Sequence, residues 1–164
     1  MRTMRSAHVL FAVLAAVCMH SDVEAEPATL LPRQEVRERV DRLMRSLPTL
    51  TGEQRKRIIS DLYEVWTSKT PGENEAIVYF GYAVTANPDG TRSLSPQADR
   101  NAVLSKVIPV LISAIDDSEK TNNKAWCILI ALQPACPPPK REVWEAWWRD
   151  SGSKQFPSKN SSSK

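Results

Sequence analysis

Hydrophobic positions recur at helical spacing along most of the chain. In 34–47, Val36, Val40, Leu43, Met44 and Leu47 form one stripe, and the pairs Glu35–Arg39, Glu38–Arg42 and Asp41–Arg45 fall on the wet side. Pro48 and Gly52 bracket a turn. Thr51 and Gln54 then have the spacing of a capping box, which predicts a second helix running to Ser68 with Ile58, Ile59, Leu62, Val65 and Trp66 inward. Thr70-Pro71-Gly72-Glu73 has the same signature with proline at the first helical position. It favours a buried helix over Ile77–Val84, although IVYFGYAV taken alone also suits a strand.

Asn87-Pro88-Asp89-Gly90 predicts a turn or short loop. Ser95-Pro96 reads as the start of the next helix, carrying Val103, Leu104, Val107, Ile108, Leu111, Ile112 and Ile115. Pro109 lies inside that pattern and is expected to kink or split it. After the turn Asp116-Asp117-Ser118, a helix is expected over Thr121–Leu132, almost wholly apolar from Ala125 on. Pro134 and the block Pro137–Pro139 form a stiff link, because proline lacks an N–H and cannot sit inside a helix. A last helix follows over Arg141–Asp150.

That last segment places Val143, Trp144, Trp147 and Trp148 on one face and Arg141, Glu142, Glu145 and Arg149 on the other. Three indoles bury roughly 150–250 Å² each, so the favoured reading is that they seal the end of a helical stack. The alternative is an exposed platform for sugar rings or a partner protein, with Trp126 as a further stacking surface. The remaining residues, 151–164, are polar, rich in serine and lysine, and expected to be disordered. They contain a glycosylation sequon, Asn160-Ser161-Ser162.

The N-terminus changes the compartment. Arg2 and Arg5 precede a short apolar run, Val9–Val17, which is too short to span a bilayer, and Val23-Glu24-Ala25 is a small-x-small site. This reads as a signal peptide over 1–25, followed by a proline-containing stalk over 26–33 and a domain over 34–150. The chain is therefore expected to be secreted or periplasmic. A lipid anchor at Cys18 is disfavoured because Val17 occupies a position that wants a smaller residue, and retention as a membrane anchor is the remaining alternative. No stable membrane span is expected after cleavage.

Both histidines, His8 and His20, fall in the leader, so cleavage removes the commonest general base and zinc ligand. Cys127 and Cys136 remain, and an even pair in an oxidising compartment points to a disulfide pinning the proline turn to its helix. Two buried free thiols are the alternative. The formal net charge is +3, without a long basic run, which argues against nucleic-acid binding. The leader carries two bases and two acids, so its loss leaves that balance unchanged. The acid and glycine of 87–90 lack the alternating carboxylates of a calcium loop. The Asp116-Asp117 pair has no third ligand nearby. No catalytic, cofactor or metal site is predicted.

Ile108-Pro109-Val110-Leu111, Ile115, Asp117, a polar stretch, and then Ala125, Leu129 and Leu132 resemble one HEAT-type (armadillo-like) helical repeat. Trp144-Glu145-Ala146-Trp147-Trp148 looks like the tryptophan-rich closing helix that follows such repeats in some bacterial proteins. The polar run Asn122-Asn123-Lys124 replaces the Val-Arg pair that usually opens the second helix of a repeat, which favours a short, irregular stack. The fold class expected is all-α, with about six helices. Helix pairs of this kind bury their faces only by stacking on one another. The resemblance implies a non-enzymatic interaction or scaffold module with a protein partner. A glycan-binding module using Trp144, Trp147 and Trp148 is the second reading, and an enzyme relying on carboxylates or lysine is the third.

Overall fold

The structure, a computed structural model, describes residues 32–116, 123–133 and 138–157. The leader, nearly all of the stalk, Cys18, Asp117, Ser118, Cys136 and the sequon lie outside those residues. Described in chain order, the elements are α1 (Gln34–Ser46), a 3₁₀ turn (Leu47–Thr49), α2 (Gly52–Trp66), α3 (Glu75–Val78), strands β1 (Tyr82–Ala86) and β2 (Arg92–Pro96), α4 (Arg100–Ser113), α5 (Lys124–Leu132), α6 (Arg141–Trp147), a π-helical turn (Trp148–Gly152) and a last helical turn (Ser153–Gln155). The protein is an all-α stack carrying one small antiparallel hairpin.

The core follows the apolar stripes. Val40 and Met44 of α1, Leu62 of α2, Leu104, Val107, Ile108 and Leu111 of α4, and Ile128 and Leu129 of α5 are all buried. α2 and α4 both pack on α5, and α6 packs on α4. Pro109 neither ends nor divides α4. An interior proline costs about 3 kcal/mol, but Val107 and Ile108 before it and Leu111 and Ile112 after it are buried, so tertiary packing holds the helix through it.

Polar groups tie the helix ends. Asn123, itself buried, caps α5 by accepting from Trp126 N–H at 3.3 Å. Its Nδ2 donates to the Asp116 carbonyl at 2.9 Å. Arg141 at the start of α6 donates to the Ile115 carbonyl at 2.6 Å, satisfying backbone just beyond α4. The polar run that departs from the repeat pattern therefore contains the residue that joins two helices.

Several expectations are corrected. The run Ile77–Val84 is not one helix: α3 is a single turn, and Gly81, with φ +71°, leaves the helical conformation before Tyr82 opens β1. Neither capping box forms, since the Thr51 side chain makes no cap bond and Glu73 instead accepts from Ser68 Oγ at 2.7 Å. Asn87-Pro88-Asp89-Gly90 closes the hairpin. Gly90 takes φ +85°, Asn87 N–H donates to the Thr91 carbonyl at 2.8 Å, and Asp89 accepts from Thr91 N–H at 2.9 Å. This is a three-residue connection with glycine in the left-handed position. The bonds from Thr91 hold the Asp89 carboxyl below its usual pKa.

Ser95-Pro96 ends β2 and does not start a helix. Pro96 pairs with Tyr82, between the bonded positions Ala83–Ser95 and Gly81–Gln97, where its missing N–H would have pointed away from β1. Of the three predicted ion pairs along α1, only Asp41–Arg45 closes among the described residues, at 2.7 Å. Arg45 also reaches Asp99 at 2.7 Å, and the hydrogen bonds it donates to both carboxylates, Asp41 foremost, push its pKa further up. Finally, order does not stop at Asp150. The chain turns through the π-helical segment and buries Phe156 in the core, so at least 151–156 belong to the domain rather than to a disordered tail.

Candidate interaction groove

The predicted tryptophan face divides. Trp144 is fully buried, its ring edge-on to Trp147 at 5.4 Å between centroids, whereas Trp147 and Trp148 are half-buried. Trp148 stacks on Phe156 at 6.3 Å and 13°. Trp147 and Trp148 are tilted by 52°. The three rings therefore form a folded cluster against α4, not a coplanar row, and Phe156 covers one face of Trp148. A cleft of about 280 Å³ lies beside Trp148, against Pro109, Ile112, Ser113 and Glu145. Trp126 is half-buried on α5. Cys127 is a half-buried free thiol whose pKa is pushed up by burial, and its expected partner Cys136 lies outside the described residues.

A second locus emerges only from the tertiary fold. A groove of about 570 Å³ opens between the hairpin, the C-terminal end of α5 and the final turn. Its lining includes Trp66, Val78, Tyr82, Leu94, Ile130 and Phe156, with Arg100 among them. The register places Tyr82, Val84 and Leu94 on one face of the hairpin, since Tyr82 pairs with Pro96 and Val84 with Leu94. That face is apolar apart from Arg92, which pairs with Glu75 at 3.4 Å, and the groove runs beneath its Tyr82–Leu94 part. Leu94 is 47% exposed and Val78 is 37% exposed. They are the large hydrophobic residues most open to solvent among those described, and both border this groove.

Arg100 sits where α4 begins. Its Nε donates to the Phe80 carbonyl at 3.1 Å. Its guanidinium lies 4.4 Å from the Tyr82 ring centroid and 5.8 Å from that of Phe156, within cation–π range. Gly81 makes this approach feasible, because a Cβ there would come within 2.5 Å of Arg100 Cγ. Burial pushes the Arg100 pKa down, and Tyr82 partly offsets this. The adjacent Asp99 is turned to Arg45. No carboxylate among the described residues forms an ion pair with Arg100.

A wider furrow of about 670 Å³ lies between α1 and the base of the hairpin, but it is polar and internally bonded. Arg37 donates to the Tyr82 carbonyl at 2.9 Å, and Arg45 is held by its two aspartates. Among the described residues there is no cluster of three metal-ligating side chains, and no helix is long and apolar enough to cross a membrane. Comparison with protein-family models, curated proteins and solved structures finds no match. The groove's own chemistry is therefore what argues its role. Sequence reasoning missed Leu94 and Arg100 because Ser95-Pro96 suggested a helix start. The signal that finds them is the pair of short runs flanking Asn87–Gly90, which is a hairpin pattern.

Proposed function

We propose that this protein is an exported, non-enzymatic interaction module, built on a short HEAT-like stack, that takes a protein partner in the groove beneath the hairpin. One observation carries the reading: the two most exposed large hydrophobic residues among those described, Val78 and Leu94, line the same groove. Scattered exposed apolar residues need no explanation, but apolar residues converging on one concavity with a polar anchor mark a binding surface. The half-buried Trp147 and Trp148 support the second reading, a glycan-binding module, less well, because their rings pack on one another and on Phe156.

The test is capture. The immobilised protein is exposed to envelope and secreted fractions of the source cell, with a protease-treated portion alongside. Capture that protease abolishes and that Leu94→Asp weakens supports the groove. Capture that survives protease and is insensitive to Leu94 refutes it and favours a glycan on the tryptophan cluster.

A further inference from the structure

We infer that the groove selects an extended segment of a partner protein in which an acidic side chain stands beside large apolar ones, with the carboxylate anchored on Arg100. The inference rests on the interaction-module reading and deepens it by stating what the groove takes.

Among the described residues lining the groove, Arg100 is the only charged one; the others are uncharged and mostly apolar, with Gln133 and Gln155 as further polar groups. A cation partly removed from water and left without a counter-charge is an unfavourable arrangement that a ligand anion relieves. Arg100 already spends Nε on the Phe80 carbonyl and rests its guanidinium plane on Tyr82, which fixes the side chain without neutralising it. A planar, preorganised guanidinium is suited to a carboxylate, which it can engage through two parallel N–H donors. Leu94 and Val78 stand around it to receive apolar side chains.

The backbone favours an extended ligand. In the hairpin, Asn87–Thr91, Ala83–Ser95 and Gly81–Gln97 lie at bonded register positions, so the Leu94 N–H and C=O point away from β1. The opposite edge is engaged with α1, where Arg37 bonds the Tyr82 carbonyl. The outward edge of β2 offers the Leu94 N–H and C=O and the Pro96 carbonyl, so a short extended segment laid there would gain main-chain hydrogen bonds while presenting alternate side chains to the groove.

The probe is a display library of short random peptides selected against the purified chain, against Arg100→Gln and against Arg100→Lys. The expected result is that the parent chain and Arg100→Lys recover peptides with Asp or Glu next to Leu, Ile or Phe. With Arg100→Gln the acidic preference is lost, and recovered parent peptides bind at least roughly tenfold more weakly, the scale of one charge-assisted hydrogen bond. Unchanged circular dichroism of both variants establishes that they fold. The proposal is overturned by selection of basic or purely apolar peptides, by no enrichment, or by an acidic preference that persists in Arg100→Gln. Concentration-dependent dimerisation abolished by Leu94→Asp also overturns it, because the occupant is then a second copy. If the peptide selection fails while protease-sensitive capture from extracts persists, the interaction-module reading stands and this ligand assignment falls.

Discussion

Replacing Gly152 by alanine sets two effects of opposite sign against each other. Gly152 has helical backbone angles, φ −62° and ψ −45°. On propensity alone, alanine at such a position stabilises by about 1 kcal/mol. An added Cβ, however, would lie 2.8 Å from Trp147 Cη2 and Cζ3 and 2.8 Å from Trp148 Cε3. The contact optimum is about 3.5–4.0 Å, so two indoles must each retreat by much of an ångström. Neither is the loose end of a flexible side chain. Trp147 abuts the fully buried Trp144, and Trp148 is stacked on Phe156. Overpacking of this kind costs about 1–3 kcal/mol, so the steric effect outweighs the propensity gain and Gly152→Ala is expected to destabilise by up to about 2 kcal/mol. With a urea slope of about 2 kcal/mol/M, the unfolding midpoint falls by up to about one molar. Tryptophan fluorescence during urea unfolding reads the midpoint, and near-UV circular dichroism reads the cluster in the native state. A midpoint equal to or above the parent's refutes the reasoning, because it means the segment after Asp150 is not seated on the tryptophans. Gly90→Ala is the control: its Cβ meets nothing within 4 Å, and only the left-handed backbone strain of about 1–2 kcal/mol remains, with no change in the aromatic signal.

Three further outcomes are expected. Phe156→Ala empties a core position and removes the ring stacked on Trp148, so thermal unfolding should register a loss of about 3–5 kcal/mol; no loss would return 151–156 to the status of a tail. Asn123→Ala deletes both the α5 cap and the bond to the Asp116 carbonyl and should cost about 1–3 kcal/mol in equilibrium denaturation, whereas an exposed asparagine would cost almost nothing. With reductant present, the raised Cys127 pKa means that the unfolded chain gives up this proton first. The thiol's contribution is then intact below its unfolded pKa and declines as the pH rises through and beyond it. A urea midpoint that falls over that range in the parent but stays flat in Cys127→Ala checks the sign, and equal pH profiles for the two would refute it.

Much of the helical framework is legible in the pattern alone. The stripe Val36–Leu47 leaves little choice of period, and burial of Val40 and Met44 follows directly from it, whereas the continuous apolar run Ala125–Leu132 foretells burial of Ile128 and Leu129 by composition rather than by period. Trp144 as a sealing residue is legible for the same reason. What local signals could not decide was where competing options were close in energy. Proline after a hydroxyl residue fits the start of a helix as well as the end of a strand, and Ser95-Pro96 became the latter because pairing with Tyr82 needs no N–H at that place. Thr51 and Thr70 have the spacing for caps, but Thr51 makes no side-chain cap bond and Glu73 is taken by the Ser68 hydroxyl. The polar composition after Asp150 suggested disorder, yet one aromatic residue, Phe156, finds a ring to stack on, and the chain between is ordered with it. The groove is wholly a tertiary product. Tyr82, Leu94, Arg100 and Phe156 share no motif and no period, and their chemistry converges only when Gly81 turns the chain and lets Arg100 lie against it. Sequence by itself thus determined the periodicity that builds the stack, because burial of apolar faces follows residue spacing. Which residues came to line the groove was decided by long-range packing, which no local pattern encodes.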